Sequence, residues 1–290
     1  MSGANYQARF RKVLDHIDAH LNESLTVEEL SGIAAFSKHH FHRQFSALLG
    51  IPVSKYIQLR RLKRASYQLA FRSDPILEVA LTNGYEGPES FARAFKKEIG
   101  QSPSDFRRAP QWAPWNDTLE PLNELRKHPM SSAPQPEHVR IVSFPATPVA
   151  VLEHRGDPTR IGDSIRRFIA WRRQHRLPPQ VSATFNLAYD DPESVAPEDY
   201  RMDLCAATDM AVLPNEFGVM SKTIPAGRCA LLRHVGSDDT LRDAVLYLYS
   251  QWLPQSGEEL REFPLYFQRV TFFPDVPEHE AITDVFLPLK

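Results

Sequence analysis

Cysteine is almost missing from this sequence. Its 290 residues include two, Cys205 and Cys229. Both sit in apolar runs without the spacing of a metal site, so buried free thiols are expected. Long apolar runs are missing as well. None approaches the roughly 20 residues that a membrane span needs, and the N-terminus lacks the charged-then-apolar layout of a secretion signal. A cytoplasmic protein with no membrane partner is therefore expected. Also absent are G-x-S-x-G, a Cys/His pair with a local signature, and a phosphate loop. With no such motif, neither an enzyme nor a cofactor is expected.

A strong net charge is lacking too, since the chain sums to −2, but the average conceals a split. Through Trp115 there are 16 Lys+Arg against 11 Asp+Glu, and beyond it 18 against 25. A basic first part joined to an acidic second part suggests a polyanion-binding portion attached to something else.

What is present is repetition. S-K-H-H-F-H-R-Q-F at 37–45 returns as G-P-E-S-F-A-R-A-F at 87–95, with Phe41, Arg43 and Phe45 fifty residues before Phe91, Arg93 and Phe95. On a helix, each pair of phenylalanines shares one face and the arginine points away from it. Flanking signals agree. Phe10, Val13, Leu14, Ile17 and Leu21 recur at helical spacing. Thr26 with Glu29 reads as a capping box. Ser37 is a good N-cap, and Gly50 and Gly100 are C′ residues. Asp74-Pro75 reads as an N-cap with Pro at the first helical position. A long helix over about 54–71 bridges two helix-turn-helix units.

Exposed basic residues on a helix are ordinarily solvated surface. Lys38 and Lys63 keep that reading by themselves, whereas the repeat sets Arg43 and Arg93 apart. His39, His40 and His42, like His16 and His20, have no converging third or fourth ligand, so no metal is expected.

Over about residues 5–108 the sequence resembles the AraC/XylS family of transcription regulators. The resemblance is carried by P-I-L-E-V-A at 75–80, N-G-Y at 83–85, S-F-A-R-A-F-K-K at 90–97 and G-Q-S-P-S-D-F-R at 100–107. It implies that both second helices enter successive major-groove segments of double-stranded DNA. Carried over, the contacts are Lys38, His39, His42 and Arg43, then Glu89, Ser90, Arg93 and Lys96. Arginine can bind guanine bidentately, while Lys96 and Lys97 suit phosphates. Glu89 departs from the uncharged residues common there, and either accepts from cytosine N4 or simply weakens nonspecific binding. RNA polymerase is a further partner the resemblance implies.

Residues 109–137 carry six prolines and read as a tether, with one short helix allowed at Leu119–Leu125. Trp112 and Trp115 could dock on either neighbour. From Val139 the period becomes strand-like. A second repeat follows at an offset of eighty: V-A-V-L-E-H-R-G at 149–156 parallels C-A-L-L-R-H-V-G at 229–236, and M-D-L at 202–204 echoes T-D-V at 283–285. The expected fold is multidomain: an all-α double helix-turn-helix domain (1–108), the linker (109–137), and an α+β domain (138–290) of two strand-helix-strand-strand repeats.

The last part resembles the GyrI-like effector-binding domain, on A-G-R-C-A-L-L-R-H-V-G at 226–236, Y-L-Y-S-Q-W-L-P-Q-S-G at 247–257 and T-D-V-F-L-P-L at 283–289. The resemblance implies a groove that takes amphipathic, often cationic, small molecules between aromatic walls. Candidates for the walls are Phe168, Trp171, Tyr189, Tyr249, Trp252, Tyr266 and Phe267, although Leu241, Val245, Leu248 and Trp252 also form one helical stripe. Cation-binding members tend to carry an acid in the phrase F-E-x-Y, and here it reads Phe267-Gln268-Arg269-Val270. A cation buried against Gln268 would lack a counter-charge, so a neutral or weakly cationic effector is expected. The whole reads as a ligand-responsive DNA-binding regulator, monomer or weak dimer. A protein-binding or weakly hydrolytic C-terminal domain is the alternative.

Overall fold

A computed structural model describes residues 3–119 and 136–290. The chain divides into two compact units, and the division does not follow chain order alone. One unit is the helical N-terminal part together with Phe273–His279, and the other is the remainder of the C-terminal part.

The helical unit runs α1 (Gly3–Ala19), α2 (Val27–Ile33), α3 (Lys38–Leu49), α4 (Val53–Phe71), α5 (Ile76–Thr82), α6 (Pro88–Ile99) and α7 (Pro103–Arg108), followed by α8, described over 112–119. Its boundaries follow from cap chemistry. The Thr26, Ser37 and Ser102 hydroxyls accept from the backbone N–H of Glu29, His40 and Asp105 at 3.2, 3.4 and 3.1 Å. Gly50 and Gly100 end α3 and α6 at φ 67° and 84°, a region costly for any residue with a Cβ. Two expectations need correction. Glu29 does not complete a capping box, because its carboxylate lies 2.8 Å from His16 Nε2. Pro75 sits at the cap position of α5 and not inside it.

The repeated phenylalanines build the core. Phe41, Phe45, Phe91 and Phe95 are fully buried. Phe45 meets Tyr56 edge-on at 5.5 Å, and Phe95 meets Phe106 at 5.4 Å. Residues 112–119 are not tether. Trp115 and Leu119 are buried in the same core, and Trp112 stacks on Phe71 at 5.9 Å. A tryptophan docked on exposed aromatic surface removes more area from water than an extended linker would. The rest of the tether, including the helix allowed at Leu119–Leu125, lies beyond residue 119 outside the described residues.

The second unit holds an eight-stranded antiparallel sheet in the order β1-β6-β8-β7-β3-β4-β2-β5. The strands are β1 (Val139–Phe144), β2 (Thr147–Arg155), β3 (Thr184–Ala188), β4 (Arg201–Ala207), β5 (Met220–Ile224), β6 (Gly227–Val235), β7 (Leu265–Arg269) and β8 (Ile282–Pro288). The duplication is plain in the strand starts, which recur 80 or 81 residues apart. Each half carries one strand more than the expected pattern, and that strand crosses over: β1 pairs with β6, and β5 with β2. Helix α9 (Ile161–Gln174) serves the first half. In the second, α10 (Leu241–Tyr247) continues through a π-helical turn at Leu248–Trp252 into α11 (Leu253–Ser256).

The matched His and Gly of the two repeats are turn chemistry. His154 bonds Ser164 Oγ at 2.9 Å, and its counterpart His234 bonds the Ser237 carbonyl at 3.0 Å. Burial lowers the His154 pKa. Gly156 and Gly236 sit at φ 101° and 139°. Among the described residues no helix is long and apolar enough to cross a membrane.

Candidate nucleic-acid interface and effector face

Helices α3 and α6 each bury one stripe and leave the opposite side to solvent. Lys38, His39, His42 and Arg43 are exposed on α3, as are Glu89, Arg93 and Lys96 on α6. Ser90 is half-buried and donates to the Gly87 carbonyl at 3.0 Å, fastening the first turn of α6. Lys38 pairs with Glu28 at 2.7 Å across exposed surface. Arg43 and Arg93 occupy equivalent positions and make no hydrogen bond or ion pair among the described residues. Two guanidiniums held on short helices and left unengaged are suited to bidentate recognition of base edges or phosphates.

The turn that precedes α6 is held by two arginines of α4. Arg61 on α4 donates to the carbonyls of Leu21 and Glu23, at 2.9 and 2.6 Å, and to that of Gly84 at 3.3 Å. One guanidinium thus ties the end of the first unit's support helix to the turn of the second. Arg64 beside it donates to Asn83 Oδ1 at 2.9 Å, and burial lowers its pKa to about 10. Gly84 explains the N-G-Y phrase. It sits at φ 72°, and a Cβ there would lie 2.7 Å from the Arg61 guanidinium and from the Leu21 carbonyl. Asn83 is fully buried and donates to Gln68 Oε1 and the Val79 carbonyl. The N-G-Y phrase was the available signal, because an Asn-Gly turn opposite an arginine-rich helix invites such a staple.

Lys63 corrects the surface reading given above. Only 2% of its side chain is exposed, and Nζ lies 2.7 Å from Glu278 Oε1.

In the second unit the eight effector candidates do not converge, because strand alternation separates them. Tyr266 and Gln268 point to the sheet face that carries no helix, where Phe144, Val149, Val151, Phe185, Leu187, Cys205, Ile224, Cys229, Leu231 and Phe286 form an apolar layer. Phe267 lies between them in sequence and points the other way, beneath α10 with Leu265 and Leu248, and Trp252 packs against that same cluster. Phe168 and Trp171 belong to the layer under α9, their rings parallel at 5.9 Å. Trp171 also walls a cavity of about 540 Å³ formed with residues 210–217. Tyr249 is exposed on the π turn.

The helix-free face has an electrostatic pattern of its own. Asp203 is fully buried and accepts from Tyr189 Oη at 2.9 Å, Lys222 Nζ at 2.7 Å and Arg155 Nη1 at 3.1 Å. Glu153 takes the same Lys222 ammonium at 2.5 Å. Burial lowers the Lys222 pKa, but its bonds to Asp203 and Glu153 outweigh this and the net shift is upward. Tyr189 is pushed up to about 12, first by burial and then by Asp203. Its ring lies under Arg155 at 5.5 Å and Arg201 at 5.6 Å. In the other half, Arg233 grips Asp284 through two bonds of 2.7 and 2.8 Å. The named acids on this face are therefore engaged by bases, and Tyr189 already holds two cations. The Gln268 amide, half-buried beside Tyr266, makes no hydrogen bond among the described residues.

Comparison with known proteins bears directly on this unit. Residues 137–290 match the model of the GyrI-like small molecule binding domain. The chain belongs to the GyrI-like family. Residues 30–109 match a helix-turn-helix domain, so the GyrI-like unit is paired with an AraC-type DNA-binding domain in a transcription regulator. The probable transcriptional regulator YgiV of Escherichia coli K12 is 39% identical over 152 residues, which is 52% of this chain and 95% of that protein. The right origin-binding protein of the same organism is 32% identical over 139 residues, 48% of this chain and 45% of that protein. YbfP of Bacillus subtilis, an uncharacterised HTH-type transcriptional regulator, is 36% identical over 102 residues, covering 35% of each. A DNA-binding helical unit is thus joined in one chain to a unit of the GyrI-like family.

Proposed function

We propose that this GyrI-like regulator acts in the cytoplasm as a monomer, reads two successive major-groove segments with α3 and α6, and answers to a neutral small-molecule effector. The observation that carries the reading is the matched pair Arg43 and Arg93, exposed at equivalent positions and engaged by nothing within the described residues. His39, His42, Glu89 and Ser90 would approach bases or phosphates beside them, and Lys38 and Lys96 phosphates. Two reading helices in one chain remove the usual need for a dimer on DNA. RNA polymerase would be the downstream partner, and no catalytic step is assigned.

For the effector, the helix-free face of the sheet is the favoured seat, entered beside half-buried Gln268 and Tyr189. An amide can both donate to and accept from a ligand. A quaternary cation would find the carboxylates already paired and the Tyr189 ring already covered, at a desolvation cost nothing repays. Trp171, Phe168, Trp252, Phe267 and Tyr249 then support the unit without lining this seat.

Guanine methylation interference on a duplex selected by the protein from a random pool tests the DNA reading. Two clusters about 10 base pairs apart are expected, and a single cluster would contradict it. A thermal-shift panel tests the effector reading. Neutral aromatic compounds should stabilise the protein, and stabilisation mainly by quaternary ammonium dyes would sink it.

A further inference from the structure

The helical unit is completed by residues from far along the chain. Phe273–His279 belong to it, although they connect β7 to β8. Phe273 meets Tyr67 edge-on at 5.0 Å. Asp275 binds Arg72 through Nε at 3.1 Å and Nη2 at 2.7 Å. Glu278 goes deepest, with Oε1 2.7 Å from Lys63 Nζ and Oε2 2.5 Å from Arg60 Nη2. Arg60 Nε in turn donates to Asp18 Oδ1 at 2.8 Å. All four of these charged side chains are between 1% and 6% exposed.

Arg60, Lys63 and Tyr67 form one stripe of α4, and Arg72 stands at its end. Two buried cations meet two buried carboxylates, and these four charges sum to zero. The neighbouring stripe carries Arg61 and Arg64, which reach the turn of the second helix-turn-helix unit at Thr82, Asn83 and Gly84, and Arg61 also reaches the Leu21 and Glu23 carbonyls between α1 and α2. The rotation of α4 about its own axis therefore decides where that turn, and α6 after it, are held. Glu278 fixes that rotation from the opposite end of the sequence.

We propose that Glu278 is a positioning residue for DNA recognition. It holds α4 at the setting in which Arg61 and Arg64 hold the turn that precedes the reading helix α6. The proposal rests on the DNA-binding reading above.

The test uses the full chain and the duplex that the wild-type protein selects from a random pool. Thermal unfolding and duplex affinity are measured for Glu278→Gln, Glu278→Asp and the double variant Lys63→Met/Glu278→Gln. Glu278→Gln removes a buried carboxylate that both Lys63 and Arg60 contact, so the unfolding midpoint should fall by roughly 5 °C or more. Affinity should fall by roughly tenfold or more. Glu278→Asp should regain part of both. The double variant removes one cation together with one carboxylate and should recover the midpoint but not the affinity. That split separates positioning from charge balance. The proposal is overturned if Glu278→Gln binds like wild type, or if the double variant recovers affinity together with the midpoint. If the wild-type chain selects no duplex at all, the DNA-binding reading falls and this proposal falls with it.

Discussion

The sheet unit is a duplication, and its two copies use the same connection differently. In the first half, residues 189–200 link β3 to β4, with a 3₁₀ turn at Pro197–Asp199. In the second, residues 270–281 link β7 to β8, with its turn at Glu278–Glu280, 81 residues later. The first connection keeps its acids within its own unit. Asp190 binds Arg201 twice at 2.9 Å, and Asp191 binds Arg242 at 3.2 and 2.8 Å. The second sends Glu278 to Arg60 and Lys63 of α4 and Asp275 to Arg72, just past its end. The same connection thus closes on its own unit in one half and supplies counter-charge to a basic helix in the other. The acidic surplus of the C-terminal half is accordingly not all solvated surface.

The largest effect is expected where the receiving helix is disturbed. Gly84→Ala combines a left-handed backbone with a Cβ driven into Arg61 and the Leu21 carbonyl. It should cost about 1–3 kcal/mol in denaturant unfolding and weaken DNA binding as well. A tolerated alanine there would remove the claim that Arg61 must approach so closely. The next effect belongs to the connection that stays at home. Its bonds to Arg242 hold the Asp191 carboxyl below the ordinary range. A lowered carboxylate stabilises the fold above its unfolded value, and that contribution is lost as pH falls through the folded value. Asp191→Asn should therefore flatten the acid limb of the unfolding profile while costing no more than about 1 kcal/mol near neutrality, since the pair is partly exposed. An unchanged acid limb would show that the first connection does not depend on its acids. The smallest effect should come from Asp275→Asn. Its partner Arg72 is at the surface, and roughly 0.2–1 kcal/mol is the usual worth of such a pair. A cost matching that of Glu278→Gln would shift the weight of the second connection from its buried to its exposed acid.

Much of this was legible in the sequence, for reasons particular residues make clear. Caps and paired phenylalanines mark α2, α3, α6 and α7 because the chemistry that starts or buries a helix is local. The repeat from Val149 to Cys229 foretells the duplicated sheet unit, though not that β1 and β5 each pair with the other half. Lys63 was beyond reach by inspection of its helix, since its partner is 215 residues away and no periodicity reports an ion pair at that range. Trp112 and Trp115 look like tether residues until the aromatic surface of Phe71 and Phe106 is placed beside them. The effector candidates divide for a simpler reason. Tyr266, Phe267 and Gln268 are consecutive on one strand, whose alternation places Phe267 on the face opposite the other two.

The central claim is that two equivalent arginines on two reading helices carry sequence recognition. A mobility-shift titration of Arg43→Ala, Arg93→Ala and the double variant against the selected duplex tests it most directly. Each single change should cost about 1–3 kcal/mol of specific affinity and relax discrimination at its own segment of the site, with the double near the sum. Unchanged specific affinity in the double variant would contradict the account.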